Sequence, residues 1–136
     1  MSKIKKITAQ EIIDSRGIPT IEGILILESG EEVKTSIPAG TSKGEYEAVE
    51  LRDRDMSRFD GLGVLKAVNI INEQIFPKLK GVSVLKQSEI DQWLINADGT
   101  KNKEKLGGNT ILTISQLVVK AVAVTQKLPL FKYINN

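Results

Sequence analysis

Thr20-Ile-Glu-Gly-Ile-Leu-Ile-Leu-Glu28 is the stretch on which the fold turns. It is rich in β-branched and apolar residues, the composition that suits a pleated, half-buried surface. Turn residues bound it on both sides: Asp14-Ser-Arg-Gly17 before, Ser29-Gly30-Glu31 after. Outward from it, Ile4 to Ile13 reads as a preceding strand and Glu32 to Ile37 as a short following one. Connections this short favour antiparallel pairing of successive strands. The first third of the chain is therefore expected to form a three-stranded antiparallel meander.

The rest reads as helices. Val64, Leu65, Val68, Ile71, Ile75 and Leu79 recur with a helical period and make one apolar stripe. Pro77 must lie in or just past the last turn of that helix. Gln87 to Ala97 is a second helix, with Ser88 as its expected N-cap and Asp98-Gly99 as its end. Trp93 within it is expected to be a core residue. A third helix, from about Thr110 to Lys127, is apolar on most faces and has Asn109 as its expected cap. Leu130 to Ile134 adds a last turn beyond Pro129. Strands followed by three to four packed helices imply an α+β domain with helices on one face of the sheet.

Composition narrows the chemistry. The 136 residues fit one domain, expected to run from residue 1 to 136. Nineteen basic residues against seventeen acidic ones give a net charge of +2, too balanced to argue for a nucleic-acid partner. The charges of Glu50-Leu-Arg-Asp-Arg-Asp55 alternate and read as a solvated surface. No stretch has the ~18 consecutive apolar residues of a membrane span. Lys3, Lys5 and Lys6 are followed by no apolar run, so no secretory signal is expected. The absence of cysteine suits a cytoplasmic location. With no histidine either, any chemistry must rest on carboxylates, lysines and a hard metal such as Mg²⁺.

Pro38-Ala-Gly-Thr-Ser-Lys-Gly44 is the candidate ligand loop. Gly40 and Gly44 bracket two hydroxyls and an ammonium, and glycine lets the main chain approach a ligand closely. Gly61-Leu-Gly63 lacks the third glycine and the preceding strand of a dinucleotide fingerprint.

Four segments together resemble the enolases. Asp14-Ser-Arg-Gly-Ile-Pro-Thr-Ile-Glu22 resembles their D-S-R-G-N-P-T-V-E signature, and Pro38 to Gly44 their P-S-G-A-S-T-G loop. Glu47-Ala-Val-Glu-Leu-Arg-Asp53 resembles E-A-L-E-L-R-D. Asp98-Gly-Thr-Lys-Asn-Lys-Glu-Lys-Leu-Gly-Gly-Asn109 resembles D-G-T-x-N-K-x-x-L-G-A-N. Order and spacing agree from end to end, down to Pro129-Leu-Phe131. Ala39, Thr41 and Lys43 depart from the family's loop, and Lys43 sets a cation beside a metal site.

The resemblance implies the N-terminal capping domain of an enolase, the α/β barrel that follows it being absent from this chain. It implies a part in the reversible dehydration of 2-phosphoglycerate to phosphoenolpyruvate, in glycolysis and gluconeogenesis. The catalytic base and acid would lie on the barrel, so none is expected here and the chain alone is not expected to turn over. Ala39, Gly40, Thr41, Ser42, Lys43 and Gly44 would close over the substrate. Ser42 would ligate the second, substrate-linked Mg²⁺. Arg16 and Glu22 would touch a second subunit, or pair with each other across the turn. The implied partners are the chain's own barrel and that second subunit. The alternative is a stand-alone, non-catalytic interaction domain, motivated by the apolar helix from Thr110.

Overall fold

A pleated strand sends alternate side chains to opposite faces. In β2 (Pro19–Leu27) this puts Ile21, Leu25 and Leu27 on one face, all fully buried. β1 (Ile4–Ile13) and β3 (Glu32–Ser36) flank it, each antiparallel, in the order β1-β2-β3. This is the meander expected from the sequence. The computed structural model describes residues 2–40 and 44–135.

β1 breaks its alternation once. Its register shifts between Ile4 and Lys6, so Ile4 and Ile7 both face inward although three residues apart. One extra residue in a strand has this effect. Beyond the shift, Ile7, Ala9 and Glu11 point to the same side as Ile21 and Leu25.

The helices cover that side. α1 (Leu65–Asn69), a π-helical turn (Ile70–Ile75) and α2 (Phe76–Leu79) form one run beside β1. α3 (Gln87–Asp98) packs on α4 (Gly108–Thr125), which lies over β2 and β3, and α5 (Leu130–Asn135) closes the chain. Ile71, Ile75, Leu94, Ile114, Leu117, Val118 and Ala121 complete the core with the inner face of the sheet. α4 approaches the sheet so closely that a Cβ on Gly23 would lie 2.7 Å from Thr113 and 2.8 Å from Leu117. Glycine is the residue that permits this contact.

α4 has the length and mean hydropathy, 1.3, of a membrane-crossing helix, but half of it is buried inside the fold. That half packs on the sheet and on α3, while Leu112 and Val124 stay 44% and 39% exposed.

Four local expectations need correction. A 3.6-residue period predicts an uninterrupted helix from Val64 to Leu79, yet the middle is π-helical, with the Phe76 amide reaching back to the Ile71 carbonyl. Pro77 explains the widening, because it has no amide to give the regular ladder. The turn places Asn72 where it both accepts from the Ala9 amide (2.8 Å) and donates to the Ala9 carbonyl (3.1 Å). It thereby satisfies the exposed backbone of an edge strand. Ser88 and Asn109 do not cap: α3 begins after Lys86 and α4 after Gly107, both without a side-chain cap. Trp93 is half-buried and packs at the rim of the core.

Candidate functional site at the base of the 38–44 loop

The loop leaves β3 at Ile37, whose amide donates to the Ile21 carbonyl, and the chain is described again from Gly44. Thr41, Ser42 and Lys43 lie outside the described residues, so the expected metal ligand is not placed. What is described is how the two ends of the loop are held. The other three segments singled out in the sequence hold them.

Asp14 builds the first support. Its Oδ1 accepts from the amides of Arg16 (2.8 Å) and Ile18 (3.0 Å), fixing the β1–β2 turn. The Ile18 bond is the main cause that holds the Asp14 carboxyl below the usual range; burial opposes it, and the Arg16 amide and guanidinium add to the lowering. Arg16, oriented by Asp14 Oδ2 at 3.1 Å, donates to the Ala39 carbonyl at 2.9 Å. Arg16 therefore serves its own loop, and the expected pairing with Glu22 does not form. Glu22 instead accepts from Gln10 on the neighbouring strand at 2.7 Å.

The 47–53 segment supplies the second support. Glu50 Oε1 accepts from the Gly40 amide and Glu47 Oε2 from the Gly44 amide, each at 2.9 Å. Arg52 grips the other oxygen of Glu50 through Nε (3.0 Å) and Nη2 (2.6 Å), a two-point contact with directional strength. Its Nη1 donates to the carbonyls of Pro19 and Leu62. Glu50, Arg52 and Asp53 are not the solvated surface that the alternation suggests, whereas Arg54 and Asp55 are exposed as it suggests. The Arg52 side chain is only 14% exposed, and Asp53, 8% exposed, accepts from the amides of Leu65 and Lys66 at the start of α1.

The 98–109 segment fastens this second support. Val49 donates to Asn102 (2.8 Å), Gly108 to Val49 (2.7 Å), and the Asn109 side chain pairs with both backbone groups of Leu51. Gly107, at φ +96°, sits so close that a Cβ would lie 2.5 Å from the Leu51 Cβ. Asp98, 1% exposed, organises the turn from within: it accepts from the amides of Thr100 (2.9 Å) and Leu106 (2.7 Å) and from the Thr100 hydroxyl. Burial alone would raise its pKa. The Thr100 hydroxyl and the Leu106, Thr100 and Lys105 amides outweigh it and hold the carboxyl below the usual range.

Two hollows flank the loop base. One, of about 320 Å³, is lined by Gly40, Gly44, Glu47, Glu50 and Arg52 among others. The other, of about 500 Å³, is more apolar and runs from Ile37 and Pro38 to Ile95, Ile111 and Leu112.

A family model described as "Enolase, N-terminal domain" matches residues 4–134. The chain belongs to this family. It is 49% identical over 133 residues to the Enolase of Ehrlichia canis, covering 98% of this chain and 32% of that protein. It is 51% identical over 134 residues to the Enolase of Malacoplasma penetrans, with 98% and 30% covered. Against Enolase 2 of Pseudomonas syringae pv. syringae the identity is 47% over 135 residues, with 99% and 32% covered. The chain thus spans about a third of the length of the curated relatives it matches.

Within this enolase domain the described residues do not make a metal site. Among them there is no group of three or more carboxylates placed to hold an ion. Glu47 and Glu50, which hold the loop's ends, are engaged by backbone amides and by Arg52. A hard cation asks for about six oxygen ligands. Most of a Mg²⁺ shell would have to come from Ser42 and from groups outside the described residues.

Proposed function

We propose that this chain is the substrate-covering domain of an enolase, acting on 2-phosphoglycerate and phosphoenolpyruvate together with an enolase α/β barrel. The reading rests above all on the way Arg16, Glu47 and Glu50 hold both ends of the 38–44 loop. A loop pinned at both ends can move over a ligand without disturbing its scaffold. Its closure would exclude water and strengthen electrostatics around the reacting carbon. In this reading Ser42 contributes one oxygen to the substrate-linked Mg²⁺, and the acid and base come from the barrel. In this reading a second subunit would meet Arg16, exposed in the β1–β2 turn, and Glu22, half-buried on β2.

The test has two arms. The isolated chain, in excess Mg²⁺, is expected to leave 2-phosphoglycerate unchanged; measurable turnover would overturn the reading. Joined to an enolase barrel it should support dehydration, and Ser42→Ala should lower kcat far more than it lowers Tm. A variant as active as its parent would remove Ser42 from the metal shell.

A stand-alone interaction domain is favoured by a different observation. Phe131 and Ile134, three residues apart on α5, are 70% and 65% exposed. Large exposed apolar side chains near one another mark interaction surfaces. Size-exclusion chromatography across concentrations separates the readings: self-association of the isolated chain favours the interaction domain, and a steady monomer counts against it.

A further inference from the structure

The end of the sheet remote from the loop carries a further concave feature. Lys78, Leu79, Val82, Lys86, Glu89, Ile90 and Trp93 line a cleft of about 250 Å³. Its floor is apolar, and Trp93 forms one wall at the rim of the core. Two lysines stand on its edges. The fold brings more beside them. Residues 2–4 run antiparallel to 81–84, with Ile4 donating to Val82, Gly81 to Ile4 and Val84 to Ser2. Lys3 thereby faces Ser83, and Lys80 follows Lys78. Lys6 lies over the Phe76 ring at 4.4 Å. The ten residues of β1 separate this end from the Asp14 turn, roughly 30 Å of extended chain.

We propose that this cleft docks an acidic peptide segment of a partner protein, which inserts one large apolar side chain between Lys78 and Lys86 against Trp93. Three features select this occupant. The cleft is smaller than the ~300–1,000 Å³ of small-molecule and cofactor sites, so it suits a single anchoring side chain. Its rim is basic. Lys78 and Lys86 line the cleft against one carboxylate, Glu89, which lies 4.0 Å from Lys86, and Lys3 and Lys80 lie on the adjoining backbone. Anionic partners are therefore steered toward it. A single-stranded nucleic acid would need a row of stacking aromatic side chains along a groove, and Trp93 is the one aromatic residue lining the cleft.

Trp93 is also the only tryptophan in the chain, so its fluorescence reports on the site directly. The probe is a short peptide of aspartates and glutamates around one central leucine, titrated into the intact chain at low salt. The expected result is a saturable shift in emission that weakens as salt rises. A peptide with alanine in the centre should bind about tenfold more weakly, the size of effect expected for losing a buried anchor. Lys78→Glu with Lys86→Glu should weaken binding of the leucine peptide by about tenfold or more. Lys101→Glu with Lys105→Glu makes the same change in net charge on other exposed lysines and should leave binding unchanged. Far-UV circular dichroism checks that all variants fold. The proposal is overturned by no saturable response, by equal binding of the two peptides, by equal losses in both charge-reversal pairs, or by equal binding of a single-stranded oligonucleotide.

Discussion

The helix-covered face of the sheet and the partly exposed clasp at the loop base are held by different forces. Under the helices, Ile7, Ile21, Leu25, Ile71, Ile114 and Leu117 meet through dispersion and the removal of apolar surface from water. Such contacts are non-directional, and many side chains share them. At the loop base, Asp14, Arg16, Glu50, Arg52, Asp98 and Asn109 each address particular backbone groups. Each of those bonds contributes only about 1 kcal/mol net, but leaving its partner unmet costs more. The core therefore sets how stable the domain is, and the clasp sets where the loop begins and ends.

This contrast breaks most visibly at Leu117. The residue is fully buried and packs against Gly23 on β2. Leu117→Ala is expected to lower unfolding free energy by about 2–5 kcal/mol, through lost transfer energy and the cavity left behind. Chemical denaturation should show a lower midpoint with an unchanged slope. A loss below about 1 kcal/mol would mean that α4 settles onto the sheet and fills the space. Gly107→Ala comes next. Its φ of +96° disfavours any side chain, and the new Cβ would collide with the Leu51 Cβ at 2.5 Å and approach the Leu51 amide at 3.0 Å. A cost of about 2–3 kcal/mol is expected, from strain and overpacking together. The damage should be local: amide exchange should rise at Val49, Leu51 and Gly108 more than at Leu25 or Leu117.

The same contrast explains what was legible in the sequence. Apolar periodicity located the strands, the helices and nearly all of the core, because one face of each element is buried. It placed the strand ends within a residue. It missed the π-helical turn, since Ile71 and Ile75 keep their spacing whichever carbonyl the backbone amides choose. The clasp carries no periodic signal at all. Glu50, Arg52 and Asp53 look like surface charges, and only their three-dimensional partners reveal that they organise a loop and a helix start. Their presence was readable as a resemblance, but their roles were not. Asn109 shows the limit clearly: its position suggested a helix cap, yet its side chain reaches 58 residues back to Leu51.

Asp98 tests the clasp through pH. Its folded carboxyl titrates below its ordinary range, so folding favours the ionised form. That contribution is complete above the unfolded pKa of about 3.9, and is lost as pH falls through the lower folded value. Asp98→Asn removes the charge at every pH. It is expected to cost about 1–3 kcal/mol near neutrality, because an amide satisfies fewer of the three donors converging on the carboxylate. It should also flatten the acid limb of stability against pH. Parallel acid limbs in parent and variant would show that Asp98 does not carry this dependence.

The smallest effects should fall at the turn. Arg16 and Asp14 form an ion pair at 3.1 Å with 40% of the Arg16 side chain exposed, and such pairs are worth about 0–1 kcal/mol. Arg16→Ala should therefore leave Tm within a few degrees of the parent. Glu22→Ala should do the same, since it removes only the bond to Gln10 between two strands already joined by their backbones. The two variants should differ in another measurement. Arg16 also donates to the Ala39 carbonyl, so its loss should raise amide exchange at Ala39 and Gly40, while Glu22→Ala should not. Equal exchange in the two variants would mean that Glu50 alone holds the entry to the loop.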